Sequence, residues 1–189
     1  MIEIPKYTIS TYDPHSIVFN ERSDFSRRIP SLPEKQLARD SKIIMQIIRA
    51  GEGGTDCNAE EKILDIFLRK ARLLSNPRYW EVMRTVWVAA GSTDTAQMFR
   101  RMMKSTRPCK SWFMTPEDDK ELNSMQFPLT VWRAYDKEPD PGISWTTDKD
   151  WCEGYAESKG RMIKERQVMR EEIFAYISRR GESEIIILD

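Results

Sequence analysis

Apolar positions recur at helical spacing from Glu34 to about Phe127, and then give way to short runs of β-branched and aromatic residues. Leu37, Ile43, Ile44, Ile47 and Ile48 keep to one side of a first predicted helix, which the sequence GEGG, Gly51 to Gly54, should end. Asn58 is placed to cap a second helix with Ile63, Ile66, Phe67 and Ala71 on its apolar face, ending near Asn76 and Pro77. In RYWEVMRTVWVAAG the residues Trp80, Met83, Trp87 and Val88 share a face, and Gly91 stops the run. STDTAQMFRRMMK opens with capping residues and carries Met98, Phe99, Met102 and Met103, which predicts a fourth helix. Thr115 and Pro116 form a cap and first-turn pair for a fifth, through PEDDKELNSM. Met and Trp stripes at this spacing read as helix core.

The texture changes at Phe127. LTVWRAY reads as a strand, DKEPDPG as a loop, and ISWTT as a second strand. Asp148 is placed to cap a helix through DKDWCEGYAES, with a loop at Gly160. Met162 to Arg170 fits either strand or helix. REEIFAYISRRG reads as a helix or irregular helical turn with Ile173, Phe174 and Ile177 inward, and EIIIL closes the chain as a buried strand. Ahead of all this, residues 1–33 hold Pro5, Pro14, Pro30 and Pro33 without sustained periodicity, and read as an irregular arm. The expected division is therefore an arm over 1–33, a helical region over 34–127 that selects a target, and an α+β core over 128–189.

Composition narrows the function classes. Lys plus Arg and Asp plus Glu both total 30 of 189 residues, so no net field points to nucleic acid or a membrane surface. The basic stretch RRMMKSTRPCK, Arg100 to Lys110, reads as a solvated face as readily as a phosphate contact. Cys57, Cys109 and Cys152 lack CxxC spacing and the one histidine, His15, is remote from them, which argues against a zinc site. No apolar run approaches the ~18 residues of a membrane span, and the expected location is the cytoplasm.

Three short motifs carry candidate chemistry: Arg133 inside a strand, Ser144 and Thr146 at the start of another, and Glu182 with Glu184 before the last. Glutamates two apart on a strand point the same way, and such a pair raises at least one carboxyl pKa unless cations or hydroxyls compensate. On a solvated edge the same pair would merely deter aggregation. Taken in order, VWRAY, GISWTTD and ESEIIIL resemble the R-S-E class of ADP-ribosyltransferases, the cholera-toxin-like, arginine-directed branch. The resemblance spans Leu129 to Asp189. It departs from the family where Ser-Trp-Thr replaces Ser-Thr-Ser, where Ala134 follows Arg133, and in the short interval from Arg133 to Glu184.

The resemblance implies a compact split β-sheet core and NAD as substrate. Arg133 would meet the NAD diphosphate through bidentate hydrogen bonds, with Ser144, Trp145 and Thr146 completing the cofactor-binding segment. Ser144 would orient Glu184, with Trp145, Thr146 and Thr147 as the other possible register. Glu184 would stabilise the oxocarbenium-like transition state, and Glu182 would engage an acceptor, by family analogy a protein arginine. Trp145 or Tyr155 could stack on nicotinamide, although core packing explains both. The implied protein is a mono-ADP-ribosyltransferase acting as a bacterial or phage effector on a host protein. The competing expectations are a non-enzymatic interaction protein on the same fold and an NAD glycohydrolase.

Overall fold

The computed structural model describes residues 29, 32–52, 59–92, 94–178 and 183–189. The expected arm falls almost wholly outside these residues, as do the Asn58 cap and Glu182. The described chain is mixed α and β, with six α-helices and five strands. It divides into two compact units, residues 1–90 with 107–113, and 91–106 with 114–189. Two helices that precede Phe127 fall in the same unit as the sheet.

The first unit holds α1 (Glu34–Glu52), α2 (Ala59–Lys70) and α3 (Asn76–Ala90). Helix α1 ends at Glu52, within the GEGG sequence expected to stop it, and buries Ile43, Ile44, Ile47 and Ile48 as its period requires. Ile63 and Phe67 do the same on α2. Between α2 and α3 a 3-10 turn, Ala71–Leu73, takes the residues expected to end the second helix, and Pro77 sits in the first turn of α3. Helix α3 is buried almost all round: Tyr79 through Trp87 are all inside, with Val88 half-buried.

Two polar side chains of this unit, Asp40 and Arg107, make hydrogen bonds across long sequence separations. The Asp40 carboxylate accepts from the Ser75 N–H at 3.0 Å, the Ser75 hydroxyl at 2.6 Å and Gln36 Nε2 at 2.7 Å. Arg107 donates to Asn76 Oδ1 at 2.8 Å, to the Ala71 carbonyl at 3.1 Å and to the Leu74 carbonyl, and its guanidinium lies 4.3 Å from the Tyr79 ring centroid. Within the basic stretch, Arg107 is thus a clamp on the turn between α2 and α3.

The second unit begins with α4 (Ala96–Met103) and α5 (Pro116–Ser124). Thr115 caps α5 in a capping box: its hydroxyl accepts from the Asp118 N–H, and the Asp118 carboxylate accepts from the Thr115 N–H. The strands are β1 (Leu129–Tyr135), β2 (Ser144–Thr146), β3 (Met162–Val168), β4 (Ile173–Ile177) and β5 (Glu184–Ile187), with α6 (Lys149–Lys159) between β2 and β3. Asp148 caps α6 by accepting from the Trp151 N–H, and Gly160 ends it at φ 63°, a left-handed conformation suited to glycine. All described strands lie in one antiparallel sheet of order β3-β1-β2-β5-β4.

Two elements resolve differently from their sequence signals. Met162 to Val168 is a strand, mostly exposed at the sheet edge. The helical reading of REEIFAYI is corrected: Arg170–Glu172 make a 3-10 turn and Ile173–Ile177 is strand β4. Ile173, Ala175, Tyr176 and Ile177 are all buried, so this strand lacks the alternation that marks a half-exposed one. The outer side of β4 is closed by α5 and the residues before it. The Tyr176 N–H donates to Met114 Sδ at 3.3 Å, and the Ser178 N–H and hydroxyl donate to Asp118 at 3.1 and 2.7 Å.

Candidate functional site

Strand pairing brings the three motifs together. Strands β1, β2 and β5 are consecutive in the sheet, so the Ser-Trp-Thr segment lies hydrogen-bonded between the arginine strand and the glutamate strand. Thr146 sits directly opposite Glu184 on one side and Trp132 on the other; Ser144 faces Ile186 and Trp145 faces Ile185. Directly opposed residues of an antiparallel pair project to the same face. One face therefore carries the row Glu165, Trp132, Thr146 and Glu184, with Ser144 two residues along. In that row the Trp132 indole N–H donates to Glu165 Oε2 at 3.0 Å. Thr146 is 6% exposed and its hydroxyl oxygen accepts from the Asp148 N–H at 3.0 Å, tying the end of β2 to the start of α6.

Arg133 is one residue from Trp132, so strand alternation sends it to the opposite face. Its cross-strand partner there is Lys164. Two cations directly opposed on a ladder repel each other and call for a counter-ion. Asp140, from the β1–β2 loop, supplies it. Arg133 Nε donates to Asp140 Oδ2 at 2.6 Å and Nη2 to Oδ1 at 3.2 Å, while Lys164 Nζ lies 2.9 Å from Oδ2. The Gly142 N–H donates to Oδ1 at 2.9 Å. The remaining Arg133 nitrogen, Nη1, donates to the Ser144 carbonyl at 2.5 Å. Burial by itself would raise the Asp140 carboxyl pKa, but bonds from Arg133, the Gly142 N–H and Lys164 outweigh it and hold the group well below the usual carboxylate range.

Gly142 is required here by close approach. A Cβ on it would stand 1.6 Å from Arg133 Nη2 and 1.9 Å from the guanidinium carbon. Lys164 is flanked by aromatic faces, 5.0 Å from the Tyr135 centroid and 5.4 Å from that of Trp145. Trp145, a candidate for nicotinamide stacking, is thus buried on the face opposite Glu184 and occupied by Lys164. The other candidate, Tyr155, stacks on Trp151 at 5.3 Å and accepts from Arg161 Nη1 at 2.8 Å.

The structure so joins Ser144, Thr146 and Glu184 on one face and sets Arg133 and Trp145 on the other; Glu182 lies outside the described residues. Sequence reasoning missed Asp140, Gly142 and Lys164. Their signal becomes readable once β3 is paired with β1, because Lys164 opposite Arg133 requires an acid, and the loop leading to β2 carries one. Among the described residues no group of three or more His, Cys, Asp or Glu is placed to hold a metal, and no helix is long and apolar enough to cross a membrane. No protein-family model, curated protein or solved structure matches the chain.

Proposed function

We propose that the protein transfers ADP-ribose from NAD to a macromolecular acceptor, with Glu184 stabilising the ribosyl cation as it develops. The observation that carries this reading is the strand order. Three motifs far apart in sequence occupy adjacent strands, and a hydroxyl residue, Thr146, stands directly opposite Glu184. In the reaction the bond from ribose C1 to the nicotinamide nitrogen breaks, and its electron pair leaves with nicotinamide. A lone pair of the acceptor forms the new bond to C1, and the acceptor proton passes to a carboxylate, the role the family resemblance gives Glu182. A fixed carboxylate beside C1 favours the transition state over the uncleaved ground state.

The register revises the supporting roles. Thr146, closer to Glu184 than Ser144 in the ladder, becomes the residue that orients the carboxylate, and Trp132 replaces Trp145 as the aromatic surface on that face. Arg133 keeps β2 against β1 through the Ser144 carbonyl; to hold a diphosphate it must exchange Asp140 for the ligand. As an effector the protein would act in the cytoplasm of a target cell, on a host protein arginine. The test is labelled NAD incubated with a host lysate, with wild-type protein and with Glu184→Gln. Transfer should fall on the order of a hundredfold in the variant, the scale of losing a transition-state-stabilising group. Label transfer that is absent in wild type, or equal in both, overturns the proposal, and free ADP-ribose without protein labelling identifies a glycohydrolase.

A second reading rests on the Arg133–Asp140 pair. With its guanidinium bound internally and facing away from Glu184, the fold would serve as a non-enzymatic interaction protein. That reading expects no heat of NAD binding by calorimetry, and capture of a host protein that survives Glu184→Gln.

A further inference from the structure

We propose that Asp140 is an internal anion seated in a phosphate cradle, and that the loop 136–143 which delivers it works as a latch on that cradle. The inference stands apart from the ADP-ribosyl transfer reading and concerns an anion site of its own, on the sheet face opposite Glu184. Four donors converge on one carboxylate: Arg133 Nε and Lys164 Nζ on Oδ2, Arg133 Nη2 and the Gly142 N–H on Oδ1. This is the donor set that holds a phosphate group, a forked guanidinium, an ammonium and a backbone N–H, with glycine leaving room for close approach. Its two cations face each other across the β1–β3 ladder. Their proximity favours an anion between them; Asp140 fills that place here, and the exposed Glu138 carboxylate lies 3.6 Å from Lys164 Nζ on the solvent side.

The loop is built to exchange one for the other. The Asp140 side chain is 3% exposed, yet Asp136 to Pro139, immediately before it, are all exposed. Lys164 is 27% exposed, so the cradle borders solvent at the lysine. The Lys164 ammonium also lies over the Tyr135 and Trp145 rings, contacts that do not involve Asp140. The ligand chemistry is a diphosphate, free or within a dinucleotide, and it competes with Asp140 for the same nitrogen atoms.

The experiment is calorimetric titration of pyrophosphate and of NAD into wild type, Asp140→Asn and Asp140→Asn/Lys164→Met. Removing the competing charge should tighten pyrophosphate binding at least about tenfold, since apparent affinity scales with the fraction of open cradle. The lysine substitution should cancel that gain. Equal pyrophosphate affinity in wild type and Asp140→Asn overturns the latch, as does a gain that survives Lys164→Met. A check that needs no variant is the Gly142 amide resonance of wild type, which should move as pyrophosphate displaces Asp140; saturation with an unmoved amide overturns the latch even if Asp140→Asn does not fold. The two proposals fail separately. NAD turnover without a pyrophosphate gain removes the latch and leaves the transferase; a pyrophosphate gain without NAD binding or label transfer keeps the cradle and removes the transferase.

Discussion

The two faces of the sheet differ in how their charges are treated. On the Arg133 face a cation pair is closed by a buried acid, and every Asp140 oxygen accepts two bonds. On the Glu184 face a carboxylate, a hydroxyl and an indole stand in one row with Glu165 at its edge. Satisfied networks of the first kind hold a fold in one register, because losing a member strands the others in a poor solvent. The row of the second kind is held by pairwise bonds, Trp132 to Glu165 and the Asp148 N–H to Thr146, with no buried charge pair among them. The difference teaches that Arg133, conspicuous in sequence, is bound by its own loop in this state, while Glu184 shares its face with a hydroxyl and an indole.

Several changes would break or sharpen that contrast. The largest effect is expected from Asp140→Ala, which leaves Arg133 and Lys164 facing each other with only the exposed Glu138, 3.6 Å from Lys164, as a nearby acid. Such a loss costs about 3–5 kcal/mol, measurable by urea denaturation in phosphate-free buffer. Gly142→Ala comes next: its new methyl group collides with the guanidinium and should cost about 1–3 kcal/mol by displacing it. Glu184→Gln, on the other face, should shift the urea midpoint less than Asp140→Ala does, because the amide keeps the shape of the carboxylate at this half-buried position. A midpoint shift as large as that of Asp140→Ala would abolish the contrast between the faces.

Acid titration separates the faces more finely. The folded Asp140 pKa lies below its unfolded value, so its contribution to stability is fully present above the unfolded carboxylate value. It is lost as pH falls from that value, near pH 4, toward the lower folded one. Asp140→Asn should flatten the stability curve of the protein in this acid range, read by thermal unfolding at successive pH values. Tyr176 supplies the smallest effect, at the other end. Burial chiefly, with the bond to Glu121, pushes its hydroxyl up to about 12, so stability should decline as pH rises past 10 and a Tyr176→Phe protein should lack that decline.

Much of the helical architecture was legible because its cause is local. The Ile43 to Ile48 stripe, the Thr115 capping box and the Asp148 cap each act within one or two turns, and the sequence pattern carries them directly. Strand β4 was not legible: Ile173, Phe174 and Ile177 satisfy a helical period, and burial on both faces removes the alternation that would have opposed it. The unit boundary was hidden for a related reason, since α4 and α5 look like the helices before them and differ in what they pack against. At the site, the three motifs and their order could be read, but not the pairing Trp132–Thr146–Glu184 that decides which side chains share a face. Parity along a strand is visible in sequence; register between strands is set by the rest of the fold.

The closure of β4 by Met114 and Asp118 has a consequence for how the protein behaves in a crowd. A sheet ends in two open rims, each a template for another chain's backbone. Along β4 the outward N–H groups of Tyr176 and Ser178 are already taken by a thioether and a carboxylate. Along β3 the successive charges of Lys164, Glu165 and Arg166 repel a flat, apolar newcomer. The apolar run IFAYI, which alone would be a hazard for amyloid-like stacking, is thereby kept from recruiting a second molecule.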